Sequence, residues 1–171
     1  FLHNSDNIEV EFLVGKDVEE YEIHINGTVG GETQLNHIRS IPTSGTYIDS
    51  EAGAFENYQW VHVAATYDPL NNQADLFING IAVGEVYEGD NPSLDEPINN
   101  SEEPFLIGRR SPDYGDQWTF NGMIREARLS NIVRYDNDFD PEVNFSSDDN
   151  TVGLWKFKSG SGDILYDHSG N

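Results

Sequence analysis

Asn79-Gly80 sits between two apolar-rich runs, Ala74-Asp75-Leu76-Phe77-Ile78 and Ile81-Ala82-Val83. Both members of such a pair tolerate φ > 0, which the tight turns of two-residue hairpins demand, so the pair predicts a β-hairpin. Residues 60–67 just upstream read as a strand ended by Asp68-Pro69. Residues 8–14 and 21–25 alternate apolar and polar side chains, the period-two mark of half-exposed strands. Asn26-Gly27 is expected to turn the chain. The Gly-, Thr- and Ser-rich stretch 29–56 predicts a loop holding short strands near 37–41 and 46–48. Further strands are predicted at 105–108, 120–129 and 152–157, and a helical turn at 131–135. Residues 88–103 are acidic and carry Pro92 and Pro97, which predicts an exposed loop. Short strands parted by turn signals, with no amphipathic helix, predict an all-β sandwich. A chain of 171 residues suits one domain, spanning 1–171.

Charge narrows the partners. Thirty-one Asp and Glu against nine Lys and Arg give a formal charge of −22. Such a surface repels nucleic acid and anionic membrane and attracts cations. Three readings stay open: an acidic surface that maintains solubility, a salty or calcium-rich milieu that screens the charge, and specific Ca²⁺ sites. Only Lys16, Lys156 and Lys158 represent lysine, which fits a high-salt habitat. The absence of cysteine excludes disulfides and thiolate metal sites. No apolar run reaches the length of a membrane span. The chain opens at Phe1, and a mature or trimmed segment of a longer exported protein is expected.

Several motifs together resemble one family. Trp60-Val61-His62-Val63-Ala64-Ala65-Thr66-Tyr67-Asp68 and Leu76-Phe77-Ile78-Asn79-Gly80 are similar to the central hairpin of laminin G-like domains. Phe105-Leu106-Ile107-Gly108 and the run from Phe120 to Ser130 resemble two later strands of that family. Leu154-Trp155-Lys156-Phe157, with Asp167-His168-Ser169-Gly170-Asn171, is similar to a segment of its bacterial multidomain members. The likeness covers about residues 60–171; the first sixty match poorly, and Arg125 stands where the family often has Asp. The resemblance implies a concanavalin A-like jelly roll of two curved antiparallel sheets. It implies a binding or adhesion module outside the cell or at its surface, recognising a glycan or an extracellular protein. Copies of itself or neighbouring domains are further partners it allows. One fold serves many ligands, so the resemblance does not name one. A structural subunit of a surface layer, filament or adhesin, joined through strand edges, is the alternative.

Chemistry-bearing patterns are few. Glycosidases of this fold carry Glu-x-Asp-x-x-Glu on one strand, and no segment here matches. Glu9 and Glu11 read as a solvated strand face. The five histidines show no zinc spacing, and His62 reads as a packed, hydrogen-bonded residue. No catalytic residue is expected. Calcium, which takes six to eight oxygens, is the credible ion. Its candidate ligands are Asp113 and Asp116 in one loop and Asp167 and Asn171 in another, with Asp136, Asp138 and Asp140 as a further cluster. For a ligand, Tyr114, Gln117 and Trp118 combine aromatic faces with hydrogen-bonding groups. Trp60 and Trp155 are expected in the core. Asn26, Asn99 and Asn144 begin N-glycosylation triplets.

Overall fold

The computed structural model describes residues 1–4, 9–16, 20–29, 32–43, 46–88, 94, 97–98, 101–110 and 117–171. Every regular element among the described residues is a strand. In chain order these are β1 (Leu2–His3), β2 (Glu11–Lys16), β3 (Tyr21–Val29), β4 (Glu32–Thr43), β5 (Thr46–Asp49), β6 (Val63–Asp68) and β7 (Gln73–Ile78). They continue with β8 (Ile81–Val83), β9 (Glu85–Glu88), β10 (Phe105–Ile107), β11 (Gly122–Met123), β12 (Glu126–Ser130) and β13 (Thr151–Lys156).

One layer is a six-stranded antiparallel sheet in the order β10-β2-β3-β4-β5-β9. The other is built from β6-β7-β8, from β12-β13, and from the short pair β1-β11. Strand alternation sends one face of each layer inward. Leu13, Ile25, Ile38 and Ile48 come from the large sheet, and Val61, Ala74, Leu76 and Ile78 meet them from the other. Burying one such side chain contributes about 1.5–3 kcal/mol. The result is the jelly-roll sandwich that the sequence predicts.

The Asn79-Gly80 hairpin forms as expected. Ile78 pairs with Ile81, and the two turn residues have φ of 51° and 81°. Asn26-Gly27 behaves differently. β3 runs straight through it, with a register shift against β4 between Ile25 and Gly27. Asn26 has φ 60° and is fully buried, and its Oδ1 accepts the Asn36 N–H at 2.9 Å. A left-handed residue flanked by paired strand makes a bulge rather than a reversal. β4 is also longer than the short strand predicted, because its polar residues are held by partners on both sides.

Other expectations need correction. The predicted strand at 120–129 is broken into β11 and β12, and residues 131–135 make a bend at 131–132 followed by irregular chain rather than a helical turn. Glu11 is 2% exposed, not on a solvated face, because β1 lays His3 against it at 3.3 Å. Trp60 is 48% exposed. It precedes Val61, which points into the core, so alternation turns Trp60 outward. Trp155 is half-buried and stacks on Phe105, ring centres 5.1 Å apart, at the sheet margin rather than in the core.

Candidate binding groove

A groove of about 960 Å³ separates β6 from β12. One wall is the stretch from Trp60 to Leu70, the other runs from Ile124 to Tyr135, and Leu13, Ile23 and Ile41 of the large sheet lie beneath. Its closed end is made by β1. Leu2 bridges Trp60 on one side and pairs with Met123 on the other. Phe1 N and O each bond Val61, both at 2.7 Å. Gly122 is where β1 comes closest: a Cβ there would stand 2.1 Å from the Leu2 carbonyl oxygen. Among the described residues, β6-β7-β8 and β12-β13 are separate sheets.

The mouth is apolar but carries charge. Three of the nine cationic side chains, Arg125, Arg128 and Arg134, stand on one wall. Arg125 lies 5.8 Å over the Trp60 ring and donates to the Val143 carbonyl. Arg128 lies 4.6 Å over Phe145 and pairs with Glu142 at 3.5 Å. Arg134 grips both oxygens of Asp148, at 2.6 and 2.8 Å. Glu126 accepts the Phe145 N–H at 2.6 Å and pairs with Lys158 at 3.3 Å. Burial pushes its carboxyl up, but these donors outweigh burial and hold it below the usual value.

His62 packs edge-on against Tyr135, Phe139 and Phe145. The ring is packed as expected, but its buried Nδ1 has no hydrogen-bond partner among the described residues. Burial first, then the amino terminus and Arg128, lower its pKa from 6.5 to about 4, against a small opposing pull from Glu142. The folded state therefore keeps the ring neutral while the unfolded chain protonates it. The stability this provides is complete above pH 6.5 and is lost as pH falls from there through about 4. Partial exposure of the ring reduces the effect to on the order of 1–2 kcal/mol. Urea denaturation at pH 7 and pH 4.5 should show that loss in the wild type and a smaller one in His62→Phe. Equal losses would refute this account.

The model of the laminin G family described as the concanavalin A-like lectin/glucanases superfamily matches residues 2–138. The chain belongs to this family. No curated protein and no solved structure matches it. The laminin G match takes in the first sixty residues, where the sequence alone offered poor likeness, and it stops before Leu154. Membership supports a module that binds carbohydrate or protein.

The laminin G-like domain distributes the predicted site residues unevenly. Asp113, Tyr114 and Asp116 lie outside the described residues. Gln117 is exposed. Trp118 is half-buried with φ 59°; the Arg110 guanidinium lies 4.8 Å from its ring, and its carbonyl accepts the Phe12 N–H at 2.9 Å. Asp167 Oδ1 accepts the backbone N–H groups of Leu154 and Ser169 at 2.9 and 2.8 Å. Asn171 Nδ2 donates to the Thr151 carbonyl at 2.9 Å. These bonds pin the final segment along β13. Asp138 accepts the Ala82 N–H at 2.9 Å and Asp136 the Asn137 amide at 3.0 Å. Among the described residues, no three His, Asp or Glu side chains gather as a metal-binding group. The groove is not legible in the sequence, because its walls lie far apart in the chain and Trp60 reads as a core residue. The outward phase of Trp60 relative to Val61 was the available signal.

Proposed function

We propose that this laminin G-like domain is a non-catalytic binding module of an exported protein. It works outside the cell or at its surface, and the β6–β12 groove takes its ligand, a glycan or a surface protein. One observation carries the reading. Trp60, Leu70, Ile98, Ile132, Val133, Val143 and Val152 all line this groove and are 37–94% exposed. A soluble domain seldom leaves so much contiguous apolar surface without a partner for it. The Trp60 face and the Arg125 guanidinium supply stacking and hydrogen bonding in one place. A non-catalytic role is supported by two of the carboxylates that line the groove. Glycoside hydrolysis needs a general acid held protonated, whereas Glu126 is held ionised and Glu142 is paired with Arg128. Calcium bound at Asp113 and Asp116, with Asp167 and Asn171 as a second cluster, belongs to the same proposal and rests on the oxygen-rich sequence.

Retention on a panel of immobilised glycans and surface proteins tests the site. Trp60→Ala should weaken retention at least about tenfold, the scale of one lost aromatic anchor. Loss with Trp118→Ala alone would move the site to the other loop. A melting temperature unchanged by chelator would remove calcium from the proposal. A second reading, a structural subunit joined through strand edges, draws on the open edge of β6. Concentration-dependent assembly without added ligand would favour it.

A further inference from the structure

The chain bends at Val143 and Asn144 and has no regular structure from there to Asp148. Side chains on and beside β12 and β13 hold it. The Arg125 guanidinium donates to the Val143 carbonyl. Glu126 Oε2 accepts the Phe145 N–H at 2.6 Å, and Lys156 Nζ donates to the Phe145 carbonyl at 2.7 Å. The Phe145 ring lies under Arg128 and against His62. Phe145 is thus committed through its ring and both main-chain groups. Its two neighbours are the opposite case. Asn144 and Ser146 are exposed, and neither side chain has a hydrogen bond among the described residues. Asn144-Phe145-Ser146 is an N-glycosylation triplet, in which the Asn amide accepts the sugar and the hydroxyl two places on engages the transferase. The fold therefore presents both recognition side chains from either side of one pinned residue. Asn26 shows the contrast. It is fully buried with φ 60°, and its Oδ1 accepts the Asn36 N–H at 2.9 Å, so a glycan on it has no room in the folded sheet. Asn99 lies outside the described residues. Glu142, two residues before Asn144, has its side chain 45% exposed. His24 and Pro97 hold that place before Asn26 and Asn99. A carboxylate at that distance gives a transferase a charge-assisted contact beyond the triplet.

We propose that Asn144 is the N-glycan acceptor of the folded domain, with an oligosaccharide carried on a lipid diphosphate as the donor. The inference lies outside the groove reading and shares with it only the export of the chain. In the transfer, Asn144 Nδ2 attacks the anomeric carbon of the first sugar. The bond from that carbon to the diphosphate oxygen breaks, and a carbon–nitrogen bond replaces it. The amide gives up one proton to a base of the transferase, and the lipid diphosphate leaves with the electron pair. No oxidant or reductant takes part. The fold uses neither the Asn144 nor the Ser146 side chain, so modification removes no internal contact. The glycosylated domain should therefore melt within about 2 °C of the bare one. The attached sugar stands next to Val143, which is 70% exposed, and screens that apolar side chain from water.

The test takes the protein isolated from its own source. Trypsin releases residues 135–156 as one peptide. Mass spectrometry reads that peptide before and after an amidase that removes N-glycans and leaves Asp in place of Asn. The expected result is a glycan at Asn144 and none at Asn26. In parallel, the purified folded domain is given a single-subunit oligosaccharyltransferase that reads an acidic residue two places before the asparagine, with its lipid-linked donor. One glycan per chain should be added, and Asn144→Gln or Ser146→Ala should abolish the addition. Glu142→Gln should slow transfer at least about tenfold, the scale of one lost charge-assisted contact. Each variant is first checked for an unchanged melting transition. A bare Asn144 in the isolated protein would overturn the proposal. So would transfer to a peptide of residues 140–148 but not to the folded domain, or a melting transition lost on modification. Ligand retention through Trp60 is measured on the unmodified domain, so a failure of the groove and a failure of Asn144 are told apart.

Discussion

Glu11→Ala should cost about 2–3 kcal/mol of stability, the scale for taking the acceptor out of a buried polar network. Glu11 Oε2 accepts the Asn121 N–H at 2.7 Å, and its Oε1 lies 3.3 Å from His3 Nε2. His3 is 1% exposed and contacts Asn57 Oδ1 through Nδ1 at 2.7 Å. Four separate parts of the chain, β1, β2, residue 57 and the approach to β11, thus meet around one carboxylate. Truncation leaves the Asn121 N–H without its acceptor and removes the carboxylate beside the buried imidazole. Glu11→Gln keeps an acceptor for the Asn121 N–H, so it should lose less, about 1–2 kcal/mol. Urea denaturation of the three proteins decides the matter. A loss below 1 kcal/mol for Glu11→Ala would show that the network is not holding β1.

Gly80→Ala should destabilise by about 2–4 kcal/mol, from left-handed strain and overpacking together. Gly80 has φ 81°, and an added Cβ would stand 1.9 Å from the Phe139 carbonyl oxygen and 2.9 Å from Pro141. Phe139 N–H in turn donates to Gly80 O at 2.8 Å. The turn is therefore the seat of the 131–145 segment as well as the link between β7 and β8. Displacing that segment would loosen Tyr135 and Phe139, which stack 3.6 Å apart over Phe77. Near-ultraviolet circular dichroism should change along with the melting temperature. Gly53→Ala is the control, since Gly53 also has positive φ, 72°, but nothing within 4 Å of an added Cβ. If both variants lose the same stability, the clash with Phe139 contributes nothing.

The hairpin and the β6 strand were legible because local chemistry alone dictates them: two residues at positive φ, and an apolar run closed by Asp-Pro. The sandwich followed from strand count and spacing. What escaped the sequence depends on distant partners. Asn26-Gly27 has the composition of a turn, yet pairing of Gly27 with Gln34 keeps β3 extended and converts the signal into a bulge. Glu11 reads as surface by residue type, and partners distant in the chain, the Asn121 N–H and His3, make its burial tolerable. Trp60 reads as core by residue type, but its phase against Val61 and the gap beside it leave it in the groove mouth. Of the proposed site residues, Asp167 and Asn171 engage the β13 main chain, Asp167 as an acceptor through Oδ1 and Asn171 as a donor through Nδ2.

That tether gives this layer a direction. Asp167 and His168 occupy the Leu154 main-chain groups on the flank of β13 away from β12, so that margin is already sealed by the chain itself. A visiting strand cannot be added there without first peeling away the closing segment. Lateral stacking of molecules through the β13 side is thereby disfavoured.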